Sequence, residues 1–392
     1  MRWWHQAHFA LWGRPDLLDR SHAFYWELLQ NATSLATQQG FRGARWQKML
    51  ALANRYNRSS SISVPWLGEA AGWSPPAPGD EDGLLLLWES ANGINPVLSW
   101  NQGPVIWLAD AIRLALNASP GGAAAAQAAV ARLSPLVFAT ADCIADIPFF
   151  NESSGFYEVG PPTLGAEEFG DFMKIRKPLW ETVYHAYTLD VANEWRELLG
   201  LPRDAKYDAV AAGLGGLPLD PAQSAPTYSF NAEASCCYNS SCPDGRFGGR
   251  DQCSPQGGHP SPAAVLGLLN GRRFGDRYGV DAATANNTVA AITYSWQWSN
   301  GGGWGWDNPL VALGQIRCGW DPSAVVAMLL MDDSHNGYWR TGWCWQGGFT
   351  YLPGNGGTLS AVAMMAGGTT TSPPCNFPAS WGAVCEGFMQ YP

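Results

Sequence analysis

The 392-residue sequence predicts an all-α protein, an (α/α)6 toroid of helical hairpins whose long loops gather at one end. Three observations carry this. Apolar residues recur at helical spacing from end to end, no segment alternates convincingly as strands do, and long loops rich in Gly, Pro and Trp separate alternate helix pairs.

After Pro15-Asp16, the residues Leu17, Leu18, Phe24, Tyr25, Leu28, Leu29 and Leu35 keep helical spacing until Gly40. Pro104 lies in the first turn of a second helix that runs to about Leu116. An Ala-rich helix follows Pro120–Gly122, and Pro135 is expected to open another towards Ile144. Pro178 to Leu199 is amphipathic and closes at Gly200. Shorter helices are expected over Asp204–Leu214, Pro260–Leu269, Ala282–Trp296, Asn308–Cys318, Pro322–Met331 and Gly357–Ala366. The intervening loops, 60–103, 148–177, 217–259, 297–308 and 332–357, are too aromatic for disorder, and loops of such length are usually functional. The weakly helical stretch 367–392 reads as an extended closing tail. With no linker in sight, 1–392 reads as a single domain.

Composition narrows the chemistry. Twenty-one Trp and 13 Tyr accompany a charged fraction of 14%, against about 25% in an average globular protein. Aromatic faces stack on the C–H faces of sugar rings, which favours a neutral sugar over the alternative of an aromatic-rich helical core. A net charge of −10 argues against nucleic acid and against electrostatic binding to anionic membranes. Apolar runs such as Leu84–Trp88 are too short to span a bilayer. The opening Met1-Arg-Trp-Trp-His5 reads as the inside of a folded element, so upstream sequence is expected outside this chain. Oligomeric state is left open.

Nine Cys include Cys236, Cys237, Cys242 and Cys253, a cluster without zinc-type spacing that suits a disulfide-stapled loop. N-x-S/T sequons begin at Asn31, Asn57, Asn117, Asn151, Asn239 and Asn286. Together they favour an oxidising, glycosylating compartment, either outside the cell or in the endomembrane lumen. Asp332-Asp333 has no companion ligands at sensible spacing, so neither metal nor cofactor is expected.

Cleaving a glycosidic bond needs a carboxylic acid for the leaving oxygen and, with inversion, a second carboxylate to activate water. The acidic residues placed in aromatic loops or at helix starts are few: Glu89, Glu167, Glu168, Glu181 and Asp307. Adjacent Glu167 and Glu168 repel, which can raise one pKa as a proton donor requires. Glu181 in a helix first turn suits the helix dipole as well as catalysis, and Asp307 before Asn308-Pro309 suits an N-cap. His259 is as readily structural as functional. Trp3, Trp4, Trp100 and Trp306 divide between core and sugar platform.

Trp88-Glu89-Ser90-Ala91, the loop Gly160-Pro161-Pro162 to Glu167-Glu168, and Tyr351-Leu-Pro-Gly-Asn-Gly-Gly357 occur in this order. In that order they resemble glycoside hydrolase family 65 and its bacterial relatives. The family includes trehalose, maltose and kojibiose phosphorylases, acid trehalases and a glucosidase acting on glucosylgalactosyl-hydroxylysine. The resemblance spans Met1 to Pro392 and implies the catalytic toroid without the family's N-terminal β-sandwich. It makes Glu168 the first choice of general acid and Glu167 the second. Asp307 and Glu181 are the candidate bases, because no carboxylate adjoins Pro353–Gly357. Trp4 and His5 fall where the family has a Trp-Asp-x-Glu-type sugar-binding segment, with His5 in place of Asp. A following N-N-x-Y-T-N-like segment is replaced by Lys177-Pro-Leu-Trp-Glu181. Trp88, Glu89, Trp100, Gln102, Trp306 and Asn355 complete the expected sugar-binding set.

The implied activity is inverting cleavage of an α-glucoside. Alternatives are phosphorolysis, with Gly354–Gly357 opening a helix as an anion site, a fucosidase- or rhamnosidase-type specificity, and a non-catalytic carbohydrate-binding relative. No G-x-S-x-G elbow or P-loop context is present.

Overall fold

The computed structural model describes residues 2–47, 97–168, 170–234, 238, 258–268, 279–296, 298, 303–331 and 335–390. Among them, helices dominate: α1 (Arg2–Leu11), α2 (Pro15–His22), α3 (Phe24–Gln38), α4 (Gly103–Ala118), α5 (Ala123–Asp146) and α6 (Leu179–Leu198). There follow α7 (Ala205–Gly213), α8 (Ala264–Gly267), α9 (Ala282–Ser295), α10 (Asp307–Arg317), α11 (Pro322–Leu330) and α12 (Leu352–Gly367).

The described helices separate by burial. α1, α4, α6, α8, α10 and α12 bury most of their side chains, whereas α2, α3, α5, α7, α9 and α11 each keep a wet face. Each buried helix packs on the next in the series, α1 on α4, α4 on α6, α6 on α8, α8 on α10 and α10 on α12. α12 then packs on α1. The half-buried helices flank them as hairpin partners: α5 on α4, α7 on α6, α9 and α11 on α10. Composition alone does not sort the two groups: apolar α11 is half-buried, whereas α6 buries Glu181, His185, Asp190 and Asn193.

Several boundaries differ from the sequence expectations, each for a local reason. The helix expected from Pro15 to Gly40 is broken at Ala23 into α2 and α3. Pro135 does not open a helix but lies inside α5. Its missing N–H leaves the Ala131 carbonyl without its ordinary partner, and the Ser134 hydroxyl donates to that oxygen instead, at 3.2 Å. By length and composition α5 could cross a membrane, yet 61% of its apolar window is buried inside the protein. Strands that the alternation test did not find form two small antiparallel sheets, β1 (Phe149–Asn151) with β2 (Phe156–Glu158), and β3 (Asn336–Tyr338), β4 (Cys344–Gln346) and β5 (Phe349–Thr350). They are two or three residues long, too short for period-two reading.

The tail after α12 is mainly non-helical. It is closed by a Cys375–Cys385 disulfide, and the Met389 N–H donates to the Leu11 carbonyl at 3.2 Å. Cys143 and Cys318 are free thiols, Cys344 is buried, and the cluster Cys236, Cys237, Cys242 and Cys253 lies outside the described residues.

α12 begins earlier than expected, so Pro353–Gly357 is its first turn rather than a loop. Its glycines have a packing reason. A Cβ on Gly354 would meet Cys344 Sγ and the Gly305 carbonyl at 2.5 Å, one on Gly357 would meet Pro309 Cβ at 2.7 Å, and one on Gly356 would collide with the Trp4 carbonyl. Gly→Ala in an ordinary helix interior gains about 1 kcal/mol. Gly356→Ala is expected to lose about 1–3 kcal/mol from overpacking. Urea unfolding decides, and a variant as stable as wild type would show that α1 and α12 do not approach this closely.

Candidate active site

The candidate residues precede or open the buried helices. Trp4 and His5 lie in α1, Trp100 and Gln102 just before α4, Glu167 and Glu168 on the loop before α6, Glu181 in the first turn of α6, His259 before α8, and Asp307 at the start of α10.

The acid loop is fastened at both ends of the turn. Leu164 forms a parallel bridge with Leu98, and its N–H donates to the Val97 carbonyl at 3.1 Å. The Glu168 N–H donates to the Gly165 carbonyl at 2.8 Å, and Glu168 has φ 56°, a left-handed conformation unusual for Glu. Such strain persists only where surroundings impose it, and it clusters at functional sites. Gly165 has no Cβ because the Glu167 carboxyl folds back over it. The turn therefore sends the two glutamates to different places. Glu167 is buried, whereas Glu168 remains partly open to solvent.

Glu167 is held by the segment before α8. The His259 N–H donates to the Glu167 carbonyl at 3.0 Å, and the Ser261 hydroxyl donates to Glu167 Oε2 at 3.2 Å. Burial pushes the Glu167 carboxyl up to about 7, partly opposed by hydrogen bonds, with the Glu168 charge adding to the rise. Glu181 is buried completely, and neither carboxylate oxygen has a hydrogen-bond partner of ordinary geometry. Burial, then the nearby Glu167, push its pKa well above the usual glutamate value. One turn along α6, buried His185 is neutral, its pKa lowered to about 4 by burial.

Asp307 is also fully buried, but its oxygens are engaged. His259 Nδ1 lies 3.0 Å from Oδ1, and the Trp304 N–H donates to Oδ2 at 2.7 Å. Burial raises the Asp307 pKa while His259 opposes the rise. The His259 ring lies 4.1 Å from Trp306 and 5.8 Å from Trp304 between centroids, and Trp304 lies 6.0 Å from Tyr351. The Glu168 charge acts on Glu167, Glu181, Asp307 and Tyr351 alike, which puts all five groups in one neighbourhood.

The expected sugar-binding residues scatter by comparison. Trp4 is buried between Trp3 and Trp306, with centroids at 4.7 and 5.1 Å. Trp306 is likewise buried, and Trp100 packs edge-on to Trp180 at 6.1 Å. Gln102 is fully buried; its Oε1 accepts from the Trp46 N–H at 2.8 Å and its Nε2 donates to the Trp46 carbonyl. Asn355 accepts from the Cys344 N–H at 2.7 Å and donates to the Gly342 carbonyl at 2.8 Å. The side chains of Gln102 and Asn355 thus hold backbone, while His5 is exposed on α1. Trp88 and Glu89 lie outside the described residues. Sequence reading left His259 as readily structural as functional, and its contact with Asp307, 48 residues away, had no local signal. No group of three or more potential metal ligands occurs among the described residues.

No protein-family model and no curated protein matches the chain.

The raised carboxyls set a pH dependence. A folded-state pKa above the unfolded value means that the folded protein binds the extra proton, so stability falls as pH rises between the two values. For Glu167 that window runs from about 4.5 to about 7, and Glu181 adds to it in the same direction. Glu181→Gln, which removes the proton, is expected to gain stability relative to wild type as pH rises from 4.5. Thermal unfolding across pH 4.5–7.5 checks this; parallel curves for wild type and variant would sink it.

Proposed function

We propose that this chain is an inverting glycoside hydrolase acting on a neutral α-linked sugar, built on an (α/α)6 toroid. Support for the ring comes from the succession of buried helices that ends with α12 packed on α1. The observation that carries the reaction is the position of Glu168. It is a partly open carboxyl on a strained turn, within electrostatic reach of two buried carboxyls and Asp307.

In this reading Glu168 donates its proton to the glycosidic oxygen as the bond to the anomeric carbon breaks. Water attacks from the opposite face and passes its proton to the His259–Asp307 pair, whose 3.0 Å hydrogen bond fixes the imidazole with Nε2 facing away from Asp307. Burial raises the pKa of both Glu181 and Glu167 and keeps them from solvent, which leaves partly open Glu168 as the carboxyl that meets substrate. Hydrolysis is favoured over phosphorolysis because the glycines of Gly354–Gly357 are accounted for by helix packing. The Cys375–Cys385 disulfide supports an oxidising compartment, secreted or in the endomembrane lumen.

A second reading, a non-catalytic sugar-binding protein, is favoured by one fact: both Asp307 oxygens are already bonded within the protein.

The test is sugar release from a panel of α- and β-linked disaccharides, with and without phosphate. Release without phosphate is expected, and Glu168→Gln should lower kcat by about 10²–10⁴ with KM little changed. Sugar phosphate would turn the reading to a phosphorylase, and binding without product to the sugar-binding protein. On the substrate so identified, Asp307→Asn and His259→Gln are each expected to lower kcat, and the double variant to lose little more than either single one. Independent, additive losses would separate the two residues.

A further inference from the structure

The β3–β4–β5 sheet has two faces with different chemistry. Residues directly paired across antiparallel strands share a face. The pairs Asn336–Gln346 and Tyr338–Cys344 point inwards. Asn336 Nδ2 donates to the Gly303 carbonyl at 2.9 Å, Gln346 Oε1 accepts from the Gly305 N–H at 3.0 Å, and Tyr338 meets the Thr358 hydroxyl at 2.5 Å. The inner face thus grips the loop that carries Trp304, Trp306 and Asp307.

The outer face carries Trp345 opposite Gly337, and Trp339 opposite Trp343 across the closing bond Trp339 N–H to Trp343 carbonyl, 2.8 Å. The Trp345 ring lies over Gly337, where a Cβ would come within 2.9 Å of Nε1. Trp339 and Trp345 centroids are 5.7 Å apart, and Trp339 and Trp343 are 46% and 57% exposed. Exposing two indoles on a strand pair costs solubility and contributes nothing to the core. Their rigid mounting is already supplied by the inner face. Between residues 335 and 357 the only Asp, Glu, Lys or Arg is Arg340, so a charged partner finds little here. Trp304, held beneath this sheet, is itself 44% exposed beside the candidate acid residues.

We infer that the Trp339–Trp343–Trp345 ladder is a second carbohydrate-contact surface, binding further units of a neutral oligosaccharide by stacking on its sugar rings. This rests on the sugar-acting reading above. It implies that the natural ligand is longer than a disaccharide.

The experiment is calorimetric titration with maltose and maltoheptaose, cellobiose and cellohexaose, and mannobiose and mannohexaose, on wild type and on Trp339→Ala/Trp343→Ala. In at least one series the longer sugar is expected to bind wild type about tenfold tighter than its disaccharide, and the double variant to lose that advantage. Disaccharide turnover should be the same in both proteins. No length advantage in any series, or one that survives the double variant, overturns the inference. So does a double variant that only converts a dimer to a monomer, which would make the ladder a contact between copies of this chain. Length-dependent binding without turnover of any sugar would keep the ladder and overturn the hydrolase. Turnover without length dependence would do the reverse.

Discussion

The hydrogen bond between His259 and Asp307 is the junction on which the candidate site depends. His259 reaches Asp307 through its ring and Glu167 through its backbone N–H, and Ser261 reaches the Glu167 carboxyl. Two residues of the segment before α8, His259 and Ser261, therefore tie the acid loop to the start of α10. From Asp307 the connection continues through the Trp304 N–H into the loop gripped by the β3–β4–β5 sheet. A buried polar network of this kind holds geometry well when its members are satisfied. Asp307 makes two ordinary hydrogen bonds, whereas Glu181 is left with looser backbone contacts to its own N–H and that of Ala166.

That contrast gives the site its electrostatic character. Buried carboxyls that keep their protons present little charge to one another, so several can share a small volume without mutual expulsion. Glu168 stays outside that buried group through its backbone. The left-handed turn points it away from the pocket that takes Glu167, and a sequence neighbour is thereby given a different dielectric environment.

Much of the helix pattern was legible in the sequence, because apolar spacing over ten to twenty residues is a strong signal. α4, α6, α9 and α11 fall within a residue or two of their expected bounds. Pro135 misled because proline usually opens a helix, and its accommodation depends on a serine hydroxyl one residue before it. The glycines of Gly354–Gly357 misled for another reason. Glycine marks both loops and close helix contacts, and only the position of Trp4 on α1 separates the two. Among site residues, Glu167, Glu168, Glu181 and Asp307 stood out because charge is scarce in this chain. His259 did not, since a histidine's role is set by what lies across the fold. Gln102 and Trp4 were legible as important but not as structural: an amide that braces a buried backbone and one that meets a ligand look identical in sequence.

The packing of α1 on α12 has a kinetic consequence. Trp12 donates its indole N–H to the Leu359 carbonyl, 347 residues away, and Trp3 and Trp4 reach full burial only against elements made much later. Contacts so distant along the chain cannot form until α12 has been synthesised, and they close slowly when they do. During translation α1 must therefore wait for α12, and the pairing of the two is governed by the arrival of α12 rather than by the folding of any hairpin between them.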